Sequence, residues 1–152
     1  MNTIDLQWFW KNFDQLTKNE LYELLQFRQE IFVVEQKSWY LDADSLDQFS
    51  HHLLVKSNHK LIGYLRLTPP GKKYEVASIG RIAIHHDMRR DKIGSKIVKE
   101  GLKKSSLIYA SNALRISAQE YLIGFYEEHG FKIEGEVYDE DGIPHIQMLI
   151  DG

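Results

Sequence analysis

At 152 residues, with 43% hydrophobic and 27% charged side chains and only 3 Pro, the chain has the size and make-up of one globular domain, which excludes disordered and collagen-like sequences. It contains 0 Cys, so disulfide scaffolds, thiolate metal sites and a cysteine nucleophile are excluded as well. The net charge of −3 argues against general nucleic-acid binding, yet residues 85–104 stand at +4 and leave −7 on the rest of the chain.

The run 4–13, with Trp8, Phe9 and Trp10, predicts an opening strand. Thr17-Lys18-Asn19-Glu20 has the form of a capping box, and Leu21, Leu24, Leu25, Ile31 and Phe32 then recur at helical spacing to about residue 34. Arg28 is the one polar residue in that stripe, which makes it either a snorkelling side chain or a functional one. An acidic, aromatic connection, Trp39-Tyr40-Leu41-Asp42-Ala43-Asp44, follows. Residues 52–56 and 61–67 read as a hairpin turning at Ser57-Asn58-His59-Lys60 and ended by Pro69-Pro70-Gly71. A strand over 76–84, a polar loop over 87–92 and a helix whose face is Ile93, Ile97, Val98, Gly101 and Leu102 come next. A short strand over 114–118 leads to a short helix over 121–129 stopped by Gly130. The chain closes with a hairpin, 131–138 and 143–150, across Asp139-Glu140-Asp141-Gly142.

This order, β-α-β-β-β-α-β-α-β-β, predicts an α/β protein with a mixed sheet, antiparallel at first and joined later through right-handed crossovers. With neither repeat nor linker, residues 1–152 form a single domain. No apolar run approaches the roughly 18 residues of a membrane span, and Asp5 precedes the aromatic cluster where a leader would be basic, so a cytoplasmic protein is expected.

The chemistry concentrates in His85-His86-Asp87-Met88-Arg89-Arg90-Asp91-Lys92-Ile93-Gly94-Ser95. A loop entering a helix presents unpaired N–H groups and the positive end of the dipole, so this stretch is a candidate anion site, with Gly94 allowing close approach. A solvated helix start carries the same charge pattern. The pairs His51-His52 and His85-His86 place consecutive side chains on opposite sides of an extended chain, so no metal is expected.

As a pattern, Arg89-Arg90-Asp91-Lys92-Ile93-Gly94 resembles the Arg/Gln-x-x-Gly-x-Gly/Ala loop of the GNAT acetyltransferases, with Lys92 in the place of the first glycine. Phe125-Tyr126-Glu127-Glu128-His129-Gly130-Phe131 resembles the Phe-Tyr-x-x-x-Gly-Phe segment of the same family. Leu24-Leu25-Gln26-Phe27-Arg28, Ile31-Phe32-Val33-Val34-Glu35-Gln36 and Val137-Tyr138-Asp139-Glu140-Asp141-Gly142-Ile143-Pro144-His145-Ile146 are similar to its ElaA branch, so the resemblance spans nearly the whole chain. It implies the GNAT fold, a mixed central sheet with splayed fourth and fifth strands flanked by helices. It also implies direct transfer of an acetyl group from acetyl-CoA to an amine, without a metal.

On that resemblance the backbone of Ile82, Ala83 and Ile84 holds the pantetheine and polarises the thioester. Arg89, Arg90, Asp91, Lys92, Ile93, Gly94 and Ser95 wrap the pyrophosphate, Gln119 joins the cofactor site, and Tyr126 donates to the leaving thiolate. Many relatives carry a glutamate base on the fourth strand, where this chain offers Ser78 and Arg81. Glu35, His145 and His52 remain as base candidates, Glu35 ahead of His145. Arg28, Glu35, His52 and Tyr138 are expected to meet the acceptor.

Residues 1–50 carry −5, and the closing hairpin sets Glu134, Glu136, Asp139, Glu140 and Asp141 against Lys132. In the fold that the resemblance implies, the connection after the first helix and the loop between the last two strands flank the acceptor entrance, so two acidic regions there point to a cationic small molecule or peptide amine as acceptor. Neither nucleic acid nor membrane is an expected partner; relatives of this fold commonly form homodimers, although nothing in the chain selects a surface for one. The alternative is a non-catalytic acyl-CoA sensor or interaction module with the same fold. An RNA-binding sheet ranks last, because the aromatic strand lies in the acidic half.

Overall fold

The structure, a computed structural model, describes residues 5–89 and 91–152. Two antiparallel sheets share the chain between them. The first holds β1 (Gln7–Asn12), β2 (His51–Ser57), β3 (Lys60–Thr68) and β4 (Ser78–Ile84) in spatial order. The second holds β5 (Leu114–Gln119), β7 (Ile143–Ile150) and β6 (Lys132–Glu140), with β7 in the middle. The predicted hairpins at 52–67 and 131–150 are both present as antiparallel pairs.

β2 and β3 are apolar on both faces because each face is covered. Helix α1 (Lys18–Arg28) buries Leu24 and Phe27 against Leu54, Leu61, Tyr64 and Ala83 on one side. Helix α2 (Ile93–Tyr109) lays Ile93, Ile97 and Val98 against Leu53, Leu65, Leu67 and Ile79 on the other. The approach of α2 is tight: a Cβ at Gly101 would stand 2.9 Å from Leu65 Cδ1, so a larger residue there would push the Leu65 side chain aside.

The capping box forms as expected, Thr17 Oγ1 accepting from the Glu20 N–H at 3.1 Å while Glu20 Oε1 accepts from the Thr17 N–H at 2.9 Å. The helix predicted to about residue 34 has the right extent but changes type. Residues Gln29–Glu35 form a π-helix, whose wider turns carry Val34 and Glu35 off the buried stripe. The short helix predicted over 121–129 is a 3-10 turn, Glu120–Leu122, followed by α3 (Ile123–Glu127).

The two sheets meet at one point, a parallel bridge between Ala77 and Leu114, where the Arg115 N–H donates to the Ala77 carbonyl at 3.0 Å. Beyond it, β4 and β5 pair no further among the described residues, so the fourth and fifth strands splay as expected and leave an open wedge. The mixed character of the sheet thus rests on a single parallel contact. Among the described residues no helix is long and apolar enough to cross a membrane.

Candidate active site

The wedge has a strained wall. Between Tyr64 and Arg66 of β3 stands one residue, but the partners Ala83 and Gly80 of β4 are separated by two, Arg81 and Ile82. This is a β-bulge, and it leaves one residue of β4 without a ladder partner. Arg81 has φ 51°, the left-handed conformation that such a bulge usually gives to glycine and that costs a residue with a Cβ about 1 kcal/mol or more. Further along, the His85 N–H donates to the Ile62 carbonyl at 2.8 Å. By the alternation of an antiparallel ladder, Ala83 then turns its backbone groups toward Tyr64 and Ile84 turns its own toward the wedge. Of the expected trio, Ala83 is therefore committed to the sheet, while Ile84 and the bulge face the opening.

At the mouth of the wedge stands the amino end of α2. Lys92, its N-cap, has φ 55° and ψ 26°, so the position where the family pattern has glycine does require a left-handed residue. It offers no side-chain cap, and the first turn holds no acid, so the N–H groups there are free for an anion. A Cβ on Gly94 would lie 3.0 Å from Ile84 Cδ1, which keeps the turn close against β4. Ile93 is buried in the core and offers only its backbone, Asp91 is exposed, and Ser95 Oγ lies 3.2 Å from His129 Nε2. Arg89 donates from Nε to the Ile84 carbonyl at 3.0 Å and from Nη2 to both Glu35 oxygens at 3.0 and 2.8 Å. The π-helix thereby delivers Glu35 to the loop. Arg90 lies outside the described residues.

Tyr126 is 8% exposed, stacked edge-on between Phe125 and Phe131. Burial, with Tyr121 nearby, holds its phenol well above the usual tyrosine range, and among the described residues its hydroxyl has no hydrogen-bond partner.

The outer face of the second sheet is polar. The hydroxyls of Ser117 and Tyr138 are bonded to each other, Gln147 Nε2 donates to Tyr138 at 2.8 Å and to Tyr74 at 3.2 Å, and Arg115 forks onto Glu134 at 3.0 and 2.9 Å. His145 Nδ1 lies 2.7 Å from the Ile143 carbonyl, which can only accept, so this nitrogen carries the proton and Nε2 faces Glu140 at 3.2 Å. A cavity of about 550 Å³ adjoins this face, lined by residues 71–76 and Arg115. Gln119 Nε2 reaches Gln36 at 3.4 Å, and Ser38 donates to the Asp141 carbonyl at 2.7 Å. The connection after the first helix and the closing hairpin therefore touch each other, where the acceptor opening is expected.

What residues 36–50 bring to that opening differs from expectation. Six ion pairs form a closed ring of alternating charge: Arg28–Asp42 at 2.8 Å, Arg28–Asp47 at 2.7 Å, Arg66–Asp47 at 3.1 Å, Arg66–Asp44 at 2.7 Å, Arg81–Asp44 at 3.3 Å and Arg81–Asp42 at 2.9 Å. The last is a charge contact without hydrogen-bond alignment. Burial alone would raise Asp44, but the hydrogen bonds and charge of Arg66, with Arg81, bring it down to about 2. Burial likewise opposes the charge on Arg28, yet Tyr64, Asp47 and Asp42 hold that guanidinium firmly protonated.

Three expectations are corrected by this ring. Arg28 is 0% exposed with its fork turned onto Asp42, Asp47 and Tyr64, so it does not meet an acceptor. His52 is also fully buried: its Nε2 donates to the Asp47 carbonyl at 2.9 Å and its Nδ1 accepts from Tyr64 at 2.6 Å, which removes it as base and as acceptor ligand. Burial lowers its pKa, and it stays neutral beside the two arginines. Finally, Asp42, Asp44 and Asp47 spend their charge inside the ring, so they do not form an acidic wall. The field that would gather a cation at the entrance is weaker by these three acids.

The ring escaped sequence reasoning, although Arg66 inside an apolar strand and Arg81 between isoleucines were visible signals for buried partners. The histidine pairs also differ from expectation. His51 and His52 do lie on an extended strand, but residues His86–Met88 form a 3-10 turn, and the rings of His85 and His86 stack at 4.4 Å. With Asp87 they bring three ligand atoms within 4.8 Å of one another on an exposed loop.

The model of the acetyltransferase (GNAT) domain family matches residues 16–151. A UPF0039 protein of Synechocystis is 41% identical over 147 residues, covering 96% of each chain. Among solved structures, an acyl-CoA N-acyltransferase from Pseudomonas aeruginosa superposes with a TM-score of 0.92 at 37% identity, over 96% of this chain and 99% of that one. Escherichia coli ElaA superposes with a TM-score of 0.91 at 32% identity, over 97% and 100%.

Proposed function

The chain belongs to the GNAT acetyltransferase family, and we propose that it moves an acetyl group from acetyl-CoA directly to the amine of a small molecule or peptide. One observation supports this reading: β4 and β5 pair only at Ala77 and Leu114 among the described residues, and the uncapped amino end of α2 lies against the far end of β4, so an extended thioester and its pyrophosphate would have one track to follow. The residues present suit that donor. The first-turn N–H groups of α2 and the cations Arg89, Arg90 and Lys92 would hold phosphate, and the backbone at Ile82 and Ile84 would hold the pantetheine arm.

As the amine nitrogen joins the acetyl carbon and the carbon–sulfur bond breaks, the nitrogen sheds a proton and the sulfur leaves with the electron pair. Tyr126 serves the sulfur. Its phenol is held above a thiol of ordinary pKa near 8.5, so full proton transfer is uphill and the hydroxyl acts as a hydrogen-bond donor to the thiolate. His145 leads Glu35 as the proton acceptor on the amine side. Its imidazole lies on the polar face beside Tyr138 and Glu140, with Nδ1 carrying the proton and Nε2 the lone pair, whereas both Glu35 oxygens are engaged by Arg89. Tyr138 and the polar face around it would meet the acceptor.

The test is release of free CoA from acetyl-CoA, followed over a panel of amines, amino acids, peptides and polyamines. Turnover that depends on an added amine supports the proposal. Binding of acetyl-CoA without turnover across the panel would instead identify a sensor.

A further inference from the structure

Arg81 links two parts of the site. Its backbone forms the left-handed bulge of β4, and its guanidinium closes the ion ring onto Asp42 and Asp44, which belong to the connection bordering the acceptor opening. A residue with a Cβ adopts this conformation at a cost of about 1 kcal/mol or more, which its surroundings must offset. Here they do: the side chain is held by two carboxylates and the Asp42 carbonyl, at 3.2 Å, and lies over the Tyr40 ring at 5.5 Å. Arg28 and Arg66 hold those same two aspartates from behind.

We propose that Arg81 is a positioning residue: the ring of ion pairs clamps its side chain, and so keeps the β4 bulge in the shape that turns a backbone N–H toward the thioester carbonyl. This rests on the acetyl-transfer reading and adds to it a coupling. Movement of the connection over residues 36–50, where an acceptor would arrive, is transmitted through Asp42 and Asp44 to the group that polarises the donor. Neither carboxylate touches substrate in this scheme.

The clamp and the strain can be separated by two substitutions. Arg81→Ala keeps a Cβ and removes the clamp, so the bulge relaxes. Arg81→Gly also removes the clamp but adopts the left-handed shape without strain. The probe is acetyl-CoA labelled with 13C at the thioester carbonyl, whose stretching frequency falls when an N–H donates to it. The expected result is a red shift on binding the parent and Arg81→Gly that is diminished in Arg81→Ala. With the best amine of the panel, kcat of Arg81→Ala should fall about 10- to 100-fold, as for a misplaced oxyanion donor, with KM for both substrates within about 3-fold. Arg81→Gly should recover most of that loss.

If Arg81→Gly folds and Arg81→Ala does not, the clamp is again holding strain, in agreement with the proposal. Equal carbonyl shifts in all three proteins, equally low kcat in both variants, or failure of both to fold would overturn it, since the ring would then serve stability alone. If the parent does not bind acetyl-CoA at all, the acetyl-transfer reading itself fails.

Discussion

Replacing Asp47 by asparagine tests the ion ring most directly. The Asp47 carboxylate accepts from Arg28 at 2.7 Å and from Arg66 at 3.1 Å, and it is 6% exposed. The carboxamide would keep the shape and one acceptor but drop the charge, leaving three guanidiniums, two of them buried, against two carboxylates. Removing one partner of a buried pair costs about 3–5 kcal/mol, and because Asp42 and Asp44 still compensate Arg28 and Arg66, the lower end, about 3 kcal/mol, is expected. That is a large part of the roughly 5–15 kcal/mol that holds a domain together. Urea unfolding at pH 7 should show it as a fall in the midpoint with an unchanged slope. The pH dependence carries its own signature. Burial would raise Asp47 and Asp44, but the arginines lower both, Asp44 to about 2. Carboxylates depressed in the folded state stabilise it above their unfolded value near 3.9, and that stability is lost as pH falls from about 4 toward 2. The parent should therefore lose stability steeply across this window and Asp47→Asn less steeply. A loss under about 1 kcal/mol at neutral pH, or equal slopes in acid, would refute the idea that the ring is a coupled unit.

Lys92→Gly should raise stability by about 0.5 kcal/mol or more in urea, since relief of left-handed strain outweighs the freedom glycine adds to the unfolded chain; a less stable variant would contradict the strain. Gly94→Asp should weaken acetyl-CoA at least about 10-fold by calorimetry while stability stays within about 1 kcal/mol, because a carboxylate suits a helix amino end but repels phosphate there. Tyr126→Phe should lower kcat by about 100-fold with acetyl-CoA affinity unchanged, and an unaltered kcat would return the residue to the core. His145→Ala should abolish the acidic limb of kcat/KM and Glu35→Gln should leave it in place; the opposite outcome would exchange their assignments.

The elements were legible where their signals are local. Thr17 and Glu20 announce a helix start because the cap closes within four residues, and Asp141 and Gly142, both at positive φ, mark the last turn by composition alone. The π-helix was not legible, since over seven residues its phase departs from an α-helix by about one residue and apolar spacing does not resolve that. The strand, loop and helix proposed to hold the donor could be read because they follow one another in the chain. The acceptor side could not. It depends on Arg28, Arg66 and Arg81 converging on aspartates of one connection, and single residues far apart in sequence carry no mark of who their partner is. For the same reason Arg28 and His52 are expected at the acceptor when both are committed in the interior.

The single bridge between Ala77 and Leu114 has a consequence for how the chain holds together. Each sheet is built from one continuous stretch, β1 to β4 before α2 and β5 to β7 after it, so the sheets are locally wired units that share one core and, among the described residues, pair only at that seam. Such units can open separately, and amides of the two sheets are expected to exchange hydrogen at different free energies. A donor bound along the seam, as proposed, would touch both, and its binding energy would then appear as cooperativity: the two exchange classes should merge when acetyl-CoA is added. The same seam makes the loop before α2 a natural place to divide the chain into fragments whose reassembly reports the ligand that joins them.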